Sequence, residues 1–400
     1  MKNKRIHFLR VLLCGMLIFT FIAGSISTRA IAKKIQYTSQ ELEKIIDAGL
    51  DFKQKQAAAS SVQKLIDTEL TKNAGKGSME WLVIALSQYK EDYDYSNYNK
   101  ALEKYVNANQ SLKATDLQRI ALACSAAGGE EEFIQATING SIGELGVMSY
   151  IYGLILMDSR DYQSDKYSRD EIIDETLSLR MKDGGWALGG KTADVDITAM
   201  AIQALAPYYG QMAVKDAVDN ALALLSKLQL KTGDFKSWGT RSCESGAQVI
   251  TALCALNIDC QTDKRFIKNN KTLLDGLMLY KNPDGSFSHV IDGKSDNTAS
   301  VQAMYSLVAY WRLQNGEGSF YKFAKSDSAG KEINSGVTDV GSDTDKAVDS
   351  SNNISNVKNT REEKDSTFSY KVIVPLAGIV LVIIIAGAYS LIRKKVRRAV

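Results

Sequence analysis

The sequence predicts an all-α protein: an α/α-toroid of about six helical hairpins, followed by a flexible linker and one transmembrane helix. Three observations predict this fold. Apolar residues recur at helical spacing in the central part of the chain, a two-helix unit repeats about every 50 residues, and the second helix of each clear repeat is rich in small side chains. The chain of 400 residues therefore divides into a helical body and separate segments at its ends.

Residues 1–32 have the three-part pattern of a secretory signal peptide. Basic residues come first, the apolar run VLLCGMLIFTFIAG follows, and the small residues AIA end the segment. We expect cleavage after Ala32, so that the mature chain begins at residue 33 and is exported.

The mature chain keeps four cysteines and one histidine, His289. Their spacing matches no zinc-binding motif, so we expect small core residues and no metal site. An oxidising compartment permits disulfides, but the sequence does not determine any pairing. The cysteines are Cys124, Cys243, Cys254 and Cys260.

Residues 92–103 partly match an EF-hand calcium loop. Acidic or hydroxyl side chains stand at loop positions one, three, five and twelve. Asn97 replaces the glycine expected at the sixth position. We therefore favour a solvated loop between two helices over a calcium site.

Residues 33–325 form the predicted toroid domain. Segments such as MEWLVIALSQY and VMSYIYGLILM place apolar residues three and four apart, which is the spacing of a helix with a buried face. Almost no stretch alternates as a β-strand does. A domain of this length can bury a large core.

Three repeats are clear in the second half of this domain. Each contains a helix, a glycine-containing turn with an aromatic residue, a short polar stretch, and a second helix that opens near an acid. The aromatics are Trp186, Phe235 and Phe287, and the acids are Asp196, Glu244 and Asp296. Fainter pairs upstream lie near 41–56 and 78–90, near 97–106 and 114–127, and near 129–138 and 146–157.

Six hairpins in series can form an open superhelix or a closed ring. An open stack needs polar end-capping repeats, and no repeat here resembles one. The second helices are rich in Ala, Ser, Thr and Gly, which permit close packing, whereas the first helices carry more leucine and charge. We therefore predict a closed ring with the second helices on the inside.

The turns DGGWALGG, GDFKSWG and DGSFSH resemble the repeat motifs of the prenyltransferase and squalene-cyclase (terpenoid cyclase) superfamily. The resemblance covers most of residues 40–325. It implies an α/α-toroid, in agreement with the composition of the helices.

The stretch DVDITA is similar to the D-x-D-D-T-A acid motif of class II terpene cyclases in that superfamily. The match includes Asp194 and Asp196, but Ile197 stands where the cyclases have their third aspartate. The resemblance implies proton-donor chemistry. The missing carboxylate argues against protonation of an alkene, because such an acid must be strengthened by charged and hydrogen-bonding neighbours.

The overlapping stretch VDITAMA is similar to VDTAAMA in the α-domains of intrinsic factor and transcobalamin. That branch binds a corrinoid and catalyses no reaction. This resemblance therefore implies a ligand-binding module, although the sequence identifies no cofactor.

Three interpretations of the acids remain open. An acid at a helix start accepts hydrogen bonds from free backbone N–H groups and contributes about 0.5–2 kcal/mol, and we favour this capping role. The alternatives are contact with a ligand and proton donation, the latter by Asp194 or Asp196. The candidate ligand contacts are Trp186, Asp194, Asp196, Glu244, Phe287 and Asp296.

Two further segments follow the toroid. Residues 326–370 are predicted to be a flexible linker, because they have few large apolar side chains. Residues 371–393 contain an uncharged run of 21 residues, which is long enough for a transmembrane helix. The basic residues 394–400 predict a cytoplasmic tail, so the body is expected to be extracellular.

Residues 33–370 carry 38 basic and 46 acidic side chains, a net charge of −8. An acidic exterior without a basic stripe argues against nucleic acid as a partner. The expected partners are the membrane, through the C-terminal helix, and a small-molecule or cell-surface ligand.

The sequence therefore favours a membrane-anchored extracellular toroid that binds a ligand and is non-catalytic. One alternative is a terpene-cyclase-like enzyme that uses Asp194 and Asp196. Others are a toroid enzyme that acts on cell-surface polysaccharide, and a purely structural spacer. A fold alone does not choose among these functions.

Overall fold

The computed structural model describes residues 36–90 and 92–324. Thirteen α-helices in these residues form an α/α-toroid, as the sequence predicts. The predicted signal peptide, linker, membrane segment and tail lie outside the described residues. None of the described helices has both the length and the apolar character that crossing a membrane requires.

The helices alternate between an outer and an inner layer. The outer helices are α1 (Ser39–Gln56), α2 (Val62–Leu65), α4 (Ser96–Ala108), α6 (Glu131–Ser141), α8 (Arg169–Ser178), α10 (Met212–Leu228) and α12 (Leu273–Met278). The inner helices are α3 (Met79–Ser87), α5 (Ala114–Ala126), α7 (Gly146–Ser159), α9 (Val195–Leu205), α11 (Cys243–Ala255) and α13 (Asn297–Asn315). A π-helix (Ile66–Leu70) continues α2, and a short hairpin of β1 (Lys236–Ser237) and β2 (Thr240–Arg241) precedes α11.

The inner helices close into a ring. Each packs against the next, and α13 packs against α3. Helix α1 packs on α13 and covers the join. The predicted ring of six hairpins is therefore confirmed, with one addition. The sequence analysis did not predict α2 and the π-helix that continues it, although Val62, Leu65, Ile66 and Leu70 have helical spacing.

The glycine-containing turns join the two helices of each clear repeat. At Gly233 the backbone is left-handed, with φ of 93°, which favours glycine. A Cβ at this position would lie 2.2 Å from the carbonyl oxygen of Thr272. The glycine is therefore required both by the backbone conformation and by the close approach of the next repeat.

The aromatic residue of each turn packs inside the domain. Trp186 is fully buried, and its backbone N–H donates to Thr198 Oγ1 at 3.0 Å, while its carbonyl accepts from the Asp194 N–H at 2.8 Å. In the third repeat the corresponding residues are Phe287, Ser300 and Asp296. These bonds fix the start of the inner helix against the turn.

The four cysteines are buried free thiols. Burial raises the pKa of each thiol. They therefore belong to the core, as their spacing suggested, and the pairing that the sequence left open does not occur among them.

Five aromatic side chains, which we call the aromatic cluster, pack against one another inside the ring. The ring of Trp81 in α3 lies 5.8 Å from that of Tyr152 in α7 and 6.0 Å from that of Tyr305 in α13. Phe320 stacks on Tyr305 at 5.8 Å, and Tyr321 lies 4.9 Å from Phe320. Because α3 and α7 are not neighbours in the ring, the cluster extends across its interior.

The segment after α13, residues 316–324, closes the end of the ring at which the inner helices finish. The backbone N–H of Phe323 donates to the carbonyl oxygen of Ser159 at the end of α7, at 2.9 Å. Lys322 Nζ donates to the Asp158 carbonyl oxygen at 3.0 Å and to Asp161 Oδ1 at 2.7 Å. We call this end the closed end.

Candidate functional site

The opposite end of the ring, where the inner helices begin, carries the acids that the sequence analysis selected. We call it the N-terminal rim and define it by the first turns of α9, α11 and α13. The four acids of the rim are Asp194, Asp196, Glu244 and Asp296. In the structure they form two groups that differ in their hydrogen bonds.

Asp194 and Asp296 are helix caps. Asp194 Oδ1 accepts from the backbone N–H groups of Asp196 and Ile197 at 2.9 and 3.1 Å, and its Oδ2 accepts from Ser237 Oγ at 2.5 Å. Asp296 Oδ1 accepts from the backbone N–H three residues later at 2.8 Å. The capping interpretation therefore accounts for these two acids.

Asp196 is not a cap. It is the second residue of α9, and its Oδ1 is shielded from solvent without a hydrogen-bond partner in residues 36–90 and 92–324. Burial raises the pKa of Asp196 to about 6, and the charges of Asp194 and Glu244 act in the same direction, whereas Ser245 and His289 oppose them. A buried polar atom without a partner costs about 1–3 kcal/mol, so this oxygen requires an explanation.

Glu244 has the equivalent position in α11, which Ser242 caps. Its two carboxylate oxygens lie 2.9 and 3.0 Å from His289 Nδ1. Burial raises the pKa of Glu244, although His289 opposes the rise. The His289 side chain is 52% exposed and that of Glu244 is 14% exposed, so solvent reaches this pair.

The structure corrects the alignment of the three repeats. The sequence placed Asp196, Glu244 and Asp296 at one point of the repeat, but the caps are Asp194, Ser242 and Asp296. Asp296 therefore corresponds to Asp194, and Asp196 to Glu244. The error arises because the segment between the turn aromatic and the cap differs by a residue or two among the repeats.

The two aromatic candidates lie away from the rim surface. Trp186 and Phe287 are 0% and 2% exposed. The Trp186 indole N–H donates to the carbonyl oxygen of Thr176 at 2.7 Å. Both side chains pack in the core, so the rim is built without them.

Sequence reasoning missed Tyr305, which connects the rim to the aromatic cluster. Burial raises the pKa of this phenol, and the charges of Asp196 and Glu244 contribute to the rise. Tyr305 lies two turns after Thr298, the α13 residue equivalent to Asp196. Counting turns inward from the correct cap would have identified it, because residues two turns apart share a helix face.

The metal alternatives find no support in the geometry. Within residues 36–90 and 92–324, no three His, Cys, Asp or Glu side chains are grouped so that they could hold a metal ion. In the EF-hand-like stretch, Asp94 Oδ1 accepts from the N–H and the Oγ–H of Ser96 at 2.8 and 2.5 Å. Asp94 thereby stabilises the start of α4.

The rim offers two partly buried carboxyl groups and an imidazole. A carboxyl group with a pKa near 6 can accept or donate a hydrogen bond near neutral pH. The rim can therefore bind a polar group of a ligand, or exchange a proton with it.

The sequence matches the family model of the prenyltransferase α/α-toroid domain over residues 145–245 and 219–329. These residues contain the three clear repeats. A search of curated proteins finds no match.

Several solved structures are similar in fold. They include ent-copalyl diphosphate synthase from Streptomyces platensis, with 17% identity, a TM-score of 0.42 and coverage of 59% of this chain and 50% of that one. An unsaturated glucuronyl hydrolase from Bacillus sp. GL1 has 12% identity, a TM-score of 0.49 and coverage of 70% and 99%. A type II terpene cyclase from Scytonema has 13% identity, a TM-score of 0.43 and coverage of 69% and 98%.

This chain aligns with half of the length of ent-copalyl diphosphate synthase, the first of these structures. The likeness to intrinsic-factor and transcobalamin α-domains stays a prediction. The resemblance to the prenyltransferase toroid superfamily that the sequence predicts is therefore confirmed over the three clear repeats, within residues 145–329.

Proposed function

We propose that the toroid binds a small-molecule or cell-surface ligand at the N-terminal rim, with Asp196 as its hydrogen-bonding anchor. The observation that carries this proposal is the shielded Asp196 Oδ1, which has no hydrogen-bond partner among the described residues. An N–H or O–H group of a ligand would satisfy it. Glu244 and His289 provide a second polar contact, and the aromatic cluster provides an apolar surface.

A corrinoid-like molecule fits this description, since it combines a broad apolar face with amide N–H donors. Corrinoids are therefore candidate ligands, because VDITAMA resembles a stretch of the corrinoid-binding α-domains. Isoprenoids and cell-wall glycans are included for the two enzymatic alternatives.

A second candidate function is general acid catalysis by Asp196, and the raised pKa favours it. An acid with a pKa near the working pH suits protonation of an oxygen leaving group, as in a polysaccharide. It does not suit an alkene, because a raised pKa makes a weaker acid. Ile197, which stands in place of the third aspartate, is buried and supplies no charge. Among the enzymatic alternatives, the site therefore favours a glycan over an isoprenoid substrate.

The test is a thermal-shift screen of the purified chain with corrinoids, isoprenoids and cell-wall glycans. A ligand at about 100 times its dissociation constant should add roughly 2.7 kcal/mol to the free energy of unfolding. The Asp196→Asn variant should lose this stabilisation. The matched control is Asp174→Asn, because Asp174 is exposed on the outer helix α8 and should not affect binding.

The outcomes distinguish the candidates. If one ligand stabilises the wild type and the control but not Asp196→Asn, the binding function is supported. If a glycan is also cleaved, and only when Asp196 is present, the catalytic candidate replaces it. If no ligand class shifts the melting temperature, the toroid is a structural spacer, which a ring filled by aromatic side chains would suit.

We also propose that the toroid is displayed outside the cell on a single membrane anchor. The signal-peptide pattern of residues 1–32, the uncharged run within 371–393 and the basic tail support this arrangement. Protease treatment of intact cells should release the toroid by cutting within 326–370. A toroid that is protected until the cells are lysed would contradict the proposal.

A further inference from the structure

A cavity lies between the two layers of the ring, and the proposed function does not use it. Its volume is about 350 Å³, at the lower end of the range of small-molecule sites. It is enclosed by α1, α2 with the π-helix, the loop before α3, the start of α3, and the first residue of α13.

The cavity contains a buried lysine. Lys53 in α1 is 3% exposed, and its Nζ donates a hydrogen bond to Asn297 Oδ1. Asn297 Nδ2 lies 3.3 Å from Ser78 Oγ, so the amide is held in place. The Lys53 ammonium group has three N–H bonds, and no carboxylate of the described residues forms an ion pair with it.

A buried cation without a counter-ion is unfavourable. Burial accordingly lowers the pKa of Lys53 to about 8, and the more distant charges of Asp296 and Glu69 only partly oppose this effect. A bound carboxylate would supply the missing negative charge. The ligand should therefore be an anion at the point where it meets Lys53.

The rest of the cavity lining has a different character. It includes Glu69, whose Oε1 accepts from Asn73 Nδ2 at 2.9 Å, and Leu70. Both residues belong to the π-helix, a rare conformation that is frequent at functional sites. Leu65, Met79 and Leu82 complete an apolar surface.

We propose that this cavity binds a small zwitterion of the α-amino acid class. Its carboxylate pairs with Lys53, its ammonium group faces Glu69, and its side chain lies against the apolar wall. The cavity meets the N-terminal rim at Asn297, the first residue of α13, but it contains none of the proposed ligand contacts Asp196, Glu244 and His289. The failure of one site would therefore leave the other untouched.

The test is calorimetric titration of the whole chain with three probes. L-Leucine has both charged groups, 4-methylpentanoate lacks the ammonium group, and isoamylamine lacks the carboxylate. We expect L-leucine to bind most tightly and isoamylamine not to bind. Lys53→Met should weaken L-leucine binding about tenfold or more, whereas Lys55→Met, an exposed control in the same helix, should leave it unchanged.

Glu69→Gln separates the two ends of the ligand. It should weaken binding of L-leucine but not of 4-methylpentanoate. Equal affinity of the two probes for the wild type would overturn the role of Glu69 and reduce the ligand class to simple carboxylates.

A measurement on the wild-type protein tests the proposal even if the variants fail to fold. The Lys53 pKa, followed by NMR, should rise when L-leucine binds, because the carboxylate stabilises the charged amine. Absence of L-leucine binding at millimolar concentration, or binding that leaves the Lys53 pKa unchanged, would refute the proposal.

Discussion

At the closed end of the ring, residues 316–324 fold over the interior and place Phe320 against Tyr305, whereas at the N-terminal rim Asp196 keeps a shielded oxygen without a partner. Some polar groups at the closed end are well paired, as the Asp158 carboxylate is with Arg169 and Tyr208 at 2.8 Å. Arg160 Nε, Arg312 Nε and Gln314 Oε1, however, are also shielded there without a partner among the described residues. The comparison shows that an unpaired buried atom does not by itself mark a ligand site. What distinguishes Asp196 is that its pKa is raised and that the pair of Glu244 and His289 lies beside it.

The largest effect is expected at the closed end. Phe320 is 4% exposed, and Phe320→Ala should lower the free energy of unfolding by about 3–5 kcal/mol, because it leaves a cavity beside Tyr305. Urea denaturation measures this change. Leu188→Ala is the control, since Leu188 is 64% exposed and its loss should cost less than about 0.5 kcal/mol. Similar costs for both variants would mean that residues 316–324 do not close the ring.

The next effect is a pH dependence at the rim. Because the folded-state pKa of Asp196 is raised, its favourable contribution is complete below about pH 4 and is lost as the pH rises through 6. Asp196→Asn removes this dependence. Relative to the wild type, the variant should gain about 2–3 kcal/mol between pH 4 and pH 7 in urea denaturation. A constant difference between the two proteins would show that the carboxyl group is well solvated.

A smaller change in stability is expected when the helix cap Asp296 is substituted. Asp296→Ala should cost about 0.5–2 kcal/mol, because the first turn of α13 loses its acceptor, whereas Asp296→Asn should cost little, since Asn caps equally well. Thermal denaturation at neutral pH measures both. If Asn is as costly as Ala, the charge of Asp296 has a role beyond capping.

The smallest change in stability is expected at His289. Its side chain is more than half exposed, so His289→Gln should change the free energy of unfolding by less than about 1 kcal/mol. The Glu244 pKa should rise further, because His289 holds it down. Carboxyl NMR titration measures this shift. An unchanged Glu244 pKa would show that the two side chains are not paired in solution.

The sequence predicted the rim but not the role of each acid. It identified all four acids, and it identified capping as their commonest role. It did not distinguish Asp194 from Asp196, since both lie at the start of one helix. The distinction depends on Ser237 and on the neighbouring helix α11, which approach from elsewhere in the ring.

The sequence alone determined the helical repeat, the glycine turns and the ring of small inner helices, because periodicity and turn conformation depend on residues close together in the chain. Only the tertiary structure decided which acid caps its helix and which is left unpaired, that Glu244 pairs with His289, and that Lys53 lies buried beside Asn297. These contacts join residues 45 and 244 positions apart. Such pairings depend on how each helix is rotated against its neighbours, which no local pattern specifies.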